Sequence, residues 1–131
     1  MPDELEQIRF TAHVLGPGAA YRLEKRQVTQ TIRAGNSSIT EAIINGRASA
    51  GDRLKIVLDG VLVGRALLIS MDAVTWATLY LEDARRGGFD TLAHLEQALR
   101  RAGYRFKPLT DYPFFRIQFT WLEERDENRR N

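Results

Sequence analysis

Asp59-Gly60 stands between two apolar runs, residues 53–58 and 61–71, and no other feature constrains the fold as strongly. Both turn residues tolerate positive φ, so the pair predicts a tight hairpin and an antiparallel sheet at the centre of the chain. In the second run Val61, Val63, Leu67, Ile69 and Met71 alternate onto one face, while Leu62, Ala66 and Leu68 make the other face apolar too. A strand apolar on both faces reads as a central one, covered on both sides. Arg65 interrupts the first face and reads as a rim position whose stem lies along apolar surface.

The segments around the hairpin alternate between the two periods. Ile8, Phe10, Ala12 and Val14 alternate with Arg9, Thr11 and His13, which predicts a half-buried strand over 8–15 with His13 on its polar side. Gly16-Pro17-Gly18 breaks that strand, and 19–26 is expected to form a short helix carrying Arg22, Lys25 and Arg26. Ser38 with Glu41 three residues on has the form of a capping box, predicting a helix over 39–45 that Gly46 ends. Arg47 and the small residues 48–50 then lead to Gly51-Asp52.

After Asp72 the pattern becomes helical. Leu79, Glu82, Asp83 and Arg86 fall in one short helix, and Asp90 is placed to cap a second, with Leu92, Leu95, Ala98, Leu99 and Ala102 on its buried side and His94 outward. Gly103 ends it. Pro108, Thr110, Asp111 and Pro113 make a return loop, and Phe115, Ile117, Phe119 and Trp121 alternate with Arg116, Gln118 and Thr120 in a closing strand. Strands separated by short helices, without a βαβ repeat, indicate an α+β domain.

Thr29-Gln30-Thr31-Ile32-Arg33 carries the most suggestive chemistry. Alternation puts Thr29, Thr31 and Arg33 on one face and Val28 and Ile32 on the other. Two hydroxyls that donate and accept, beside a planar guanidinium fork, suit a phosphate or a base edge; β-propensity alone also accounts for the threonines.

Composition removes several alternatives. The 131 residues suit a single core, and the absence of cysteine excludes disulfides, thiolate metal sites and a cysteine nucleophile. His13 and His94 lie far apart with no acidic residue at ligand spacing, so neither a metal nor another cofactor is expected. No apolar run approaches the length of a membrane span, and Met1-Pro2-Asp3-Glu4-Leu5-Glu6 is acidic where a secretory signal is basic and then apolar. A cytoplasmic protein is expected. Residues 1–7 and 123–131 read as charged tails around a body at 8–122, which holds 16 basic and 10 acidic residues, a net +6. Sixteen arginines against three lysines favour bidentate contacts to phosphate.

The order of these features resembles the ASCH (ASC-1 homology) family of the PUA-like superfamily. The resemblance spans about residues 8–122 and rests on the basic helix leading into Thr29–Arg33, on Gly51-Asp52 opening a strand, and on Asp83-Ala84-Arg85-Arg86-Gly87-Gly88-Phe89 leading into a helix and the last strand, Phe115-Arg116-Ile117-Gln118-Phe119. It implies a small, partly open β-barrel with flanking short helices. The helix at 39–45 looks like an elaboration of a loop that is shorter in compact members. The resemblance also implies a groove beside the threonine row in which RNA or a nucleotide-like ligand sits, giving an expected binding set of Arg22, Lys25, Arg26, Thr29, Thr31, Arg33 and Arg47.

Some ASCH proteins are amidohydrolases acting on N4-acetylcytidine, with a lysine just before the first threonine, the second threonine of the row, and a glutamate ahead of the helix-opening segment. Carried over, the threonine is Thr31, but Val28 stands at the lysine position and Gly87 at about the glutamate position. Valine takes no proton, so a neighbouring lysine base is not there to activate a threonine. Binding without catalysis is the expectation. The alternatives are an amidohydrolase with relocated groups, Lys25 with Glu82 or Asp83, and a protein-interaction module serving transcription or translation.

Overall fold

The computed structural model describes residues 5–107 and 111–123. Its framework is a five-stranded mixed sheet in the order β1-β3-β4-β5-β2, formed by β1 (Gln7–Phe10), β2 (Gln30–Arg33), β3 (Arg53–Leu58), β4 (Val61–Thr75) and β5 (Pro113–Trp121). β1 runs parallel to β3, and every other pairing is antiparallel. The sheet curls into a half-barrel accompanied by five short helices: α1 (Ala12–Leu15), α2 (Pro17–Glu24), α3 (Ser38–Ile44), α4 (Leu81–Arg86) and α5 (Leu92–Arg101). This is the expected α+β, partly open barrel.

The hairpin is where the sequence places it. Asp59 and Gly60 both take positive φ, 50° and 82°, joining β3 to β4. β4 is central in the sheet, but for a different reason from the one its composition suggests. Gly64, Ala66 and Leu68 are buried, whereas Val61, Leu62 and Ile69 are exposed, so the core covers one face only. The register of β4 against β5 shifts between Leu68 and Ser70, leaving Ile69 in the bulge. Beyond it the strand continues through Asp72 to Thr75, because β5 supplies partners as far as Pro113.

Four expectations about the helical regions need correction. The strand at 8–15 stops at Phe10: the Thr11 hydroxyl accepts the Val14 N–H and caps α1, placing His13 on a helix rather than on a strand face. α3 is capped by Ser37, not Ser38; the third helical residue is then Thr40 and no Ser-Glu box forms. α5 is capped by Thr91, whose hydroxyl accepts from the His94 N–H, while Asp90 pairs with Arg22 at 2.9 Å. α2 begins at Pro17 and ends at Glu24, so Lys25 and Arg26 follow it instead of lying within it.

The core joins Ile8 of β1, Leu54 and Ile56 of β3, Leu68 of β4, and Phe114 and Ile117 of β5 to Leu23, Ile39 and Leu99 from the helices. Trp76, Phe106, Tyr112 and Phe114 stack in a chain with ring centroids 4.8 to 5.8 Å apart, tying the return from α5 to the start of β5. Pro108 and Thr110 of the expected return loop, and the tail positions 1–4 and 124–131, lie outside the described residues. Position 7, assigned to the N-terminal tail, opens β1, and the Glu6 carbonyl accepts from the Lys55 N–H. No helix among the described residues is long and apolar enough to cross a membrane.

Candidate functional site

A cavity of about 210 Å³ lies between the ends of β1 and β2 and the helices α1 and α5. Phe10, Leu15, Ile32, Phe89, Leu95 and Leu99 give it apolar wall; Arg9, Gln30, Thr31, Arg33, Asp83, Gly87 and Tyr104 also line it. The sheet supplies Thr31 and Arg33, while the turn at Thr11 swings α1 over the opening and brings Val14 and Leu15 to it.

Thr31 and Arg33 share a strand face as alternation requires, and Arg33 Nε donates to Thr31 Oγ1 at 2.9 Å. Arg33 Nη2 donates to the Arg9 carbonyl at 2.8 Å, and the guanidinium lies over the Phe10 ring, 4.9 Å from its centroid. Among the described residues no carboxylate pairs with it. Burial pulls the Arg33 guanidinium down from 12.5 to about 10, with the Tyr104 phenol acting in the opposite direction. It stays cationic at neutral pH, in a half-buried place with no counter-charge among the described residues.

Asp83 is the one acidic side chain lining the cavity among the described residues, and its oxygens are fully engaged. Oδ1 accepts from Gln30 Nε2 and from Arg116 Nε, both at 2.9 Å. Oδ2 accepts from the Tyr80 N–H at 2.9 Å and from Arg116 Nη2 at 3.3 Å. Burial by itself raises this carboxyl, but the Tyr80 N–H, the Gln30 amide and the Arg116 guanidinium outweigh it and hold the acid below its ordinary 3.8. Gln30 completes the network: its Oε1 accepts from Gln118 Nε2 at 3.0 Å, and Gln118 Oε1 accepts from Ser70 Oγ at 3.3 Å. Arg116 and Gln118 on the polar side of β5 are thus turned toward α4 and β2. A carboxylate with all its lone pairs committed and its acidity increased is a poor proton acceptor for chemistry.

Of the residues expected to bind ligand, the structure brings only Thr31 and Arg33 to the cavity. Thr29 precedes β2, where its backbone N–H donates to the Arg86 carbonyl and its own carbonyl accepts from Phe119. Arg22 donates to the Gly88 carbonyl at 2.8 Å and pairs with Asp90. Lys25 is exposed beside the Tyr21 ring. Arg26, at φ 59°, donates to the Val63 carbonyl at 3.1 Å and lies over the Trp121 ring, in space left by the missing Cβ of Gly64. Arg47 faces Glu6 at 3.7 Å. These basic residues brace loops and helix ends, and they form no continuous track into the cavity.

The positions bearing on catalysis separate as well. Val28 is fully buried against Gly88 and does not line the cavity. Gly87 does line it. Glu82 pairs with Arg86 on the exposed side of α4. Gln30 and Tyr104 were not singled out from sequence. Gln30 carries a signal there, since it falls between Val28 and Ile32 on the apolar face, where a lone amide needs buried partners; nothing marks Tyr104. Among the described residues no group of three metal-ligating side chains converges.

No family model and no curated protein matches the chain. Among solved structures it is similar to protein EF3133 from Enterococcus faecalis V583, described by the family model DUF984, at a TM-score of 0.60 and 17% identity over 92% of this chain and 82% of that one. At that identity the likeness establishes a shared fold.

Proposed function

We propose that the cavity holds a nucleotide-like ligand, one unit at a time, and leaves it chemically unchanged. The observation that carries this reading is Arg33, a half-buried cation without a carboxylate partner among the described residues, set in the wall of a chamber lined largely by apolar side chains. Desolvating a charge without a counter-ion costs stability, and such groups concentrate where a ligand completes them. The resemblance to ASCH domains supplies the class of ligand, and the curled sheet is compatible with it. A volume near 210 Å³ suits a base or a nucleoside better than a strand. The dispersed arginines also favour a single unit over a polymer.

Catalysis has little to work with. A threonine nucleophile needs a base within hydrogen-bond reach, yet Thr31 faces Arg33, a permanent donor. Lys25 is absent from the cavity lining, and the Asp83 carboxylate is saturated. Incubation with N4-acetylcytidine is expected to release neither acetate nor cytidine above background, while titration calorimetry detects mononucleotide binding. Hydrolysis by the unmodified protein, abolished by Thr31→Ala or Lys25→Ala, would overturn this reading in favour of relocated catalytic groups.

A further inference from the structure

We infer that this cavity selects its ligand by a negative charge on a flat apolar body, and that it does not read a hydrogen-bonding edge. The inference rests on taking the cavity as a ligand site, though it does not require that the ligand be a nucleotide. The two side chains best suited to reading a base edge, Gln30 and Asp83, are spent on each other and on Arg116, Gln118 and Tyr80. What remains is donor-rich. Among the described residues Arg33 commits Nε to Thr31 and one Nη2 hydrogen to the Arg9 carbonyl, leaving Nη1 without a partner. The Thr31 hydroxyl accepts from Arg33, and the Tyr104 hydroxyl accepts from the Ala34 N–H at 3.4 Å, so each keeps its own hydrogen to offer.

A guanidinium edge with two hydroxyl hydrogens is matched by an anionic oxygen pair, from a carboxylate or a phosphate. The Thr31 hydroxyl, the Arg9 carbonyl and the Phe10 ring hold the guanidinium in place, so the fork is pre-organised and little ordering opposes binding. The rest of the wall, including Phe89, Leu95 and Leu99, is mainly apolar; of its other charged side chains, Arg9 donates to the Gln7 amide and Asp83 is paired with Arg116. A ring fits such a wall whatever its substituents, because dispersion and desolvation follow area rather than edge pattern. Two sources share this chemistry: nucleoside monophosphates and simple aryl carboxylates.

The test is titration calorimetry on the full chain with three sets of probes: the four common nucleoside 5′-monophosphates, their nucleosides, and 2-naphthoate beside 2-naphthalenemethanol. Each anion is expected to bind at least about tenfold more tightly than its neutral counterpart, the scale of one charge-assisted contact. Base identity is expected to matter by no more than about threefold. Arg33→Met should bring each anion down to the affinity of its neutral counterpart measured on the same variant, and Arg33→Lys should restore part of the difference. Neutral probes matching the anions, one base preferred by more than about tenfold, or no binding by any probe would overturn the inference. Binding of 2-naphthoate without any monophosphate would uphold it and remove the nucleotide reading; base-selective binding indifferent to Arg33→Met would do the reverse.

Discussion

Arg116 of the last strand grips Asp83 of α4 through two contacts, Nε to Oδ1 at 2.9 Å and Nη2 to Oδ2 at 3.3 Å, while its Nη1 lies 3.6 Å from Asp72. This pair, with Gln30 wedged against the same carboxylate, joins α4, β2 and β5 at the floor of the cavity. Asp83→Asn removes the charge and strands a largely buried guanidinium, for which breaking a buried pair typically costs about 3–5 kcal/mol. Asp72 still faces Arg116, so a loss near the lower end, about 3 kcal/mol, is expected in urea unfolding.

The same carboxyl gives the fold a pH dependence with a definite sign. Its folded-state pKa lies below the ordinary 3.8, so its contribution is complete above that value and is lost as pH falls through the lower, folded one. Stability should therefore be flat in this contribution at neutral pH and decline below about pH 4. Asp83→Asn should lower the plateau and make the decline shallower, as measured by melting temperature across an acid series.

Arg33 should behave in the opposite way. It has no ion pair among the described residues, and its burial costs desolvation, so Arg33→Met is expected to change stability by less than about 1 kcal/mol, or to raise it. Ligand affinity should fall by about 1–3 kcal/mol in the same variant. A melting curve beside a binding curve reads both. Parallel loss of melting temperature and affinity would instead make Arg33 a structural tie between β2 and β1.

Gly88 adopts φ +95°, and a Cβ there would lie 2.9 Å from Val28 Cγ2 and 3.4 Å from the Ala19 backbone. Gly88→Ala combines left-handed strain with a core clash and should cost about 2 kcal/mol or more. Val28→Ala removes the methyl in question. The double variant should be less destabilised than the two single losses added together, and denaturant midpoints would measure that coupling.

Salt separates a single-unit ligand from a polymer. If Arg33 is the main electrostatic contact, mononucleotide affinity should fall only a few-fold between 50 and 200 mM salt, whereas a strand neutralised at 6–10 phosphates loses about 10³–10⁵. Fluorescence titration of labelled single-stranded and hairpin RNA at both salt concentrations provides the comparison. Steep salt dependence would point to a basic track that the positions of Arg22, Arg26 and Arg47 do not suggest.

Local rules reached a good part of this molecule. Asp59-Gly60 determined the hairpin because only a turn accepting positive φ joins those two runs, and the pairing of Thr31 with Arg33 followed from the two-residue period of a strand. Thr11, Ser37 and Thr91 show where such rules stop: each competed with a neighbour or with a strand pattern as a helix cap, and packing of the next turn decided between them. The cavity was beyond reach for a stronger reason. Gln30 and Asp83 lie 53 positions apart and Asp83 and Arg116 another 33, and no periodicity links residues on different elements. Whether a carboxylate is a free base or a saturated tie depends on which donors surround it in space. The sequence by itself determined which groups the threonine row offers; only the tertiary structure decided that Asp83 is spent, that Arg33 is not, and that Arg22, Arg26 and Arg47 brace the fold away from the cavity.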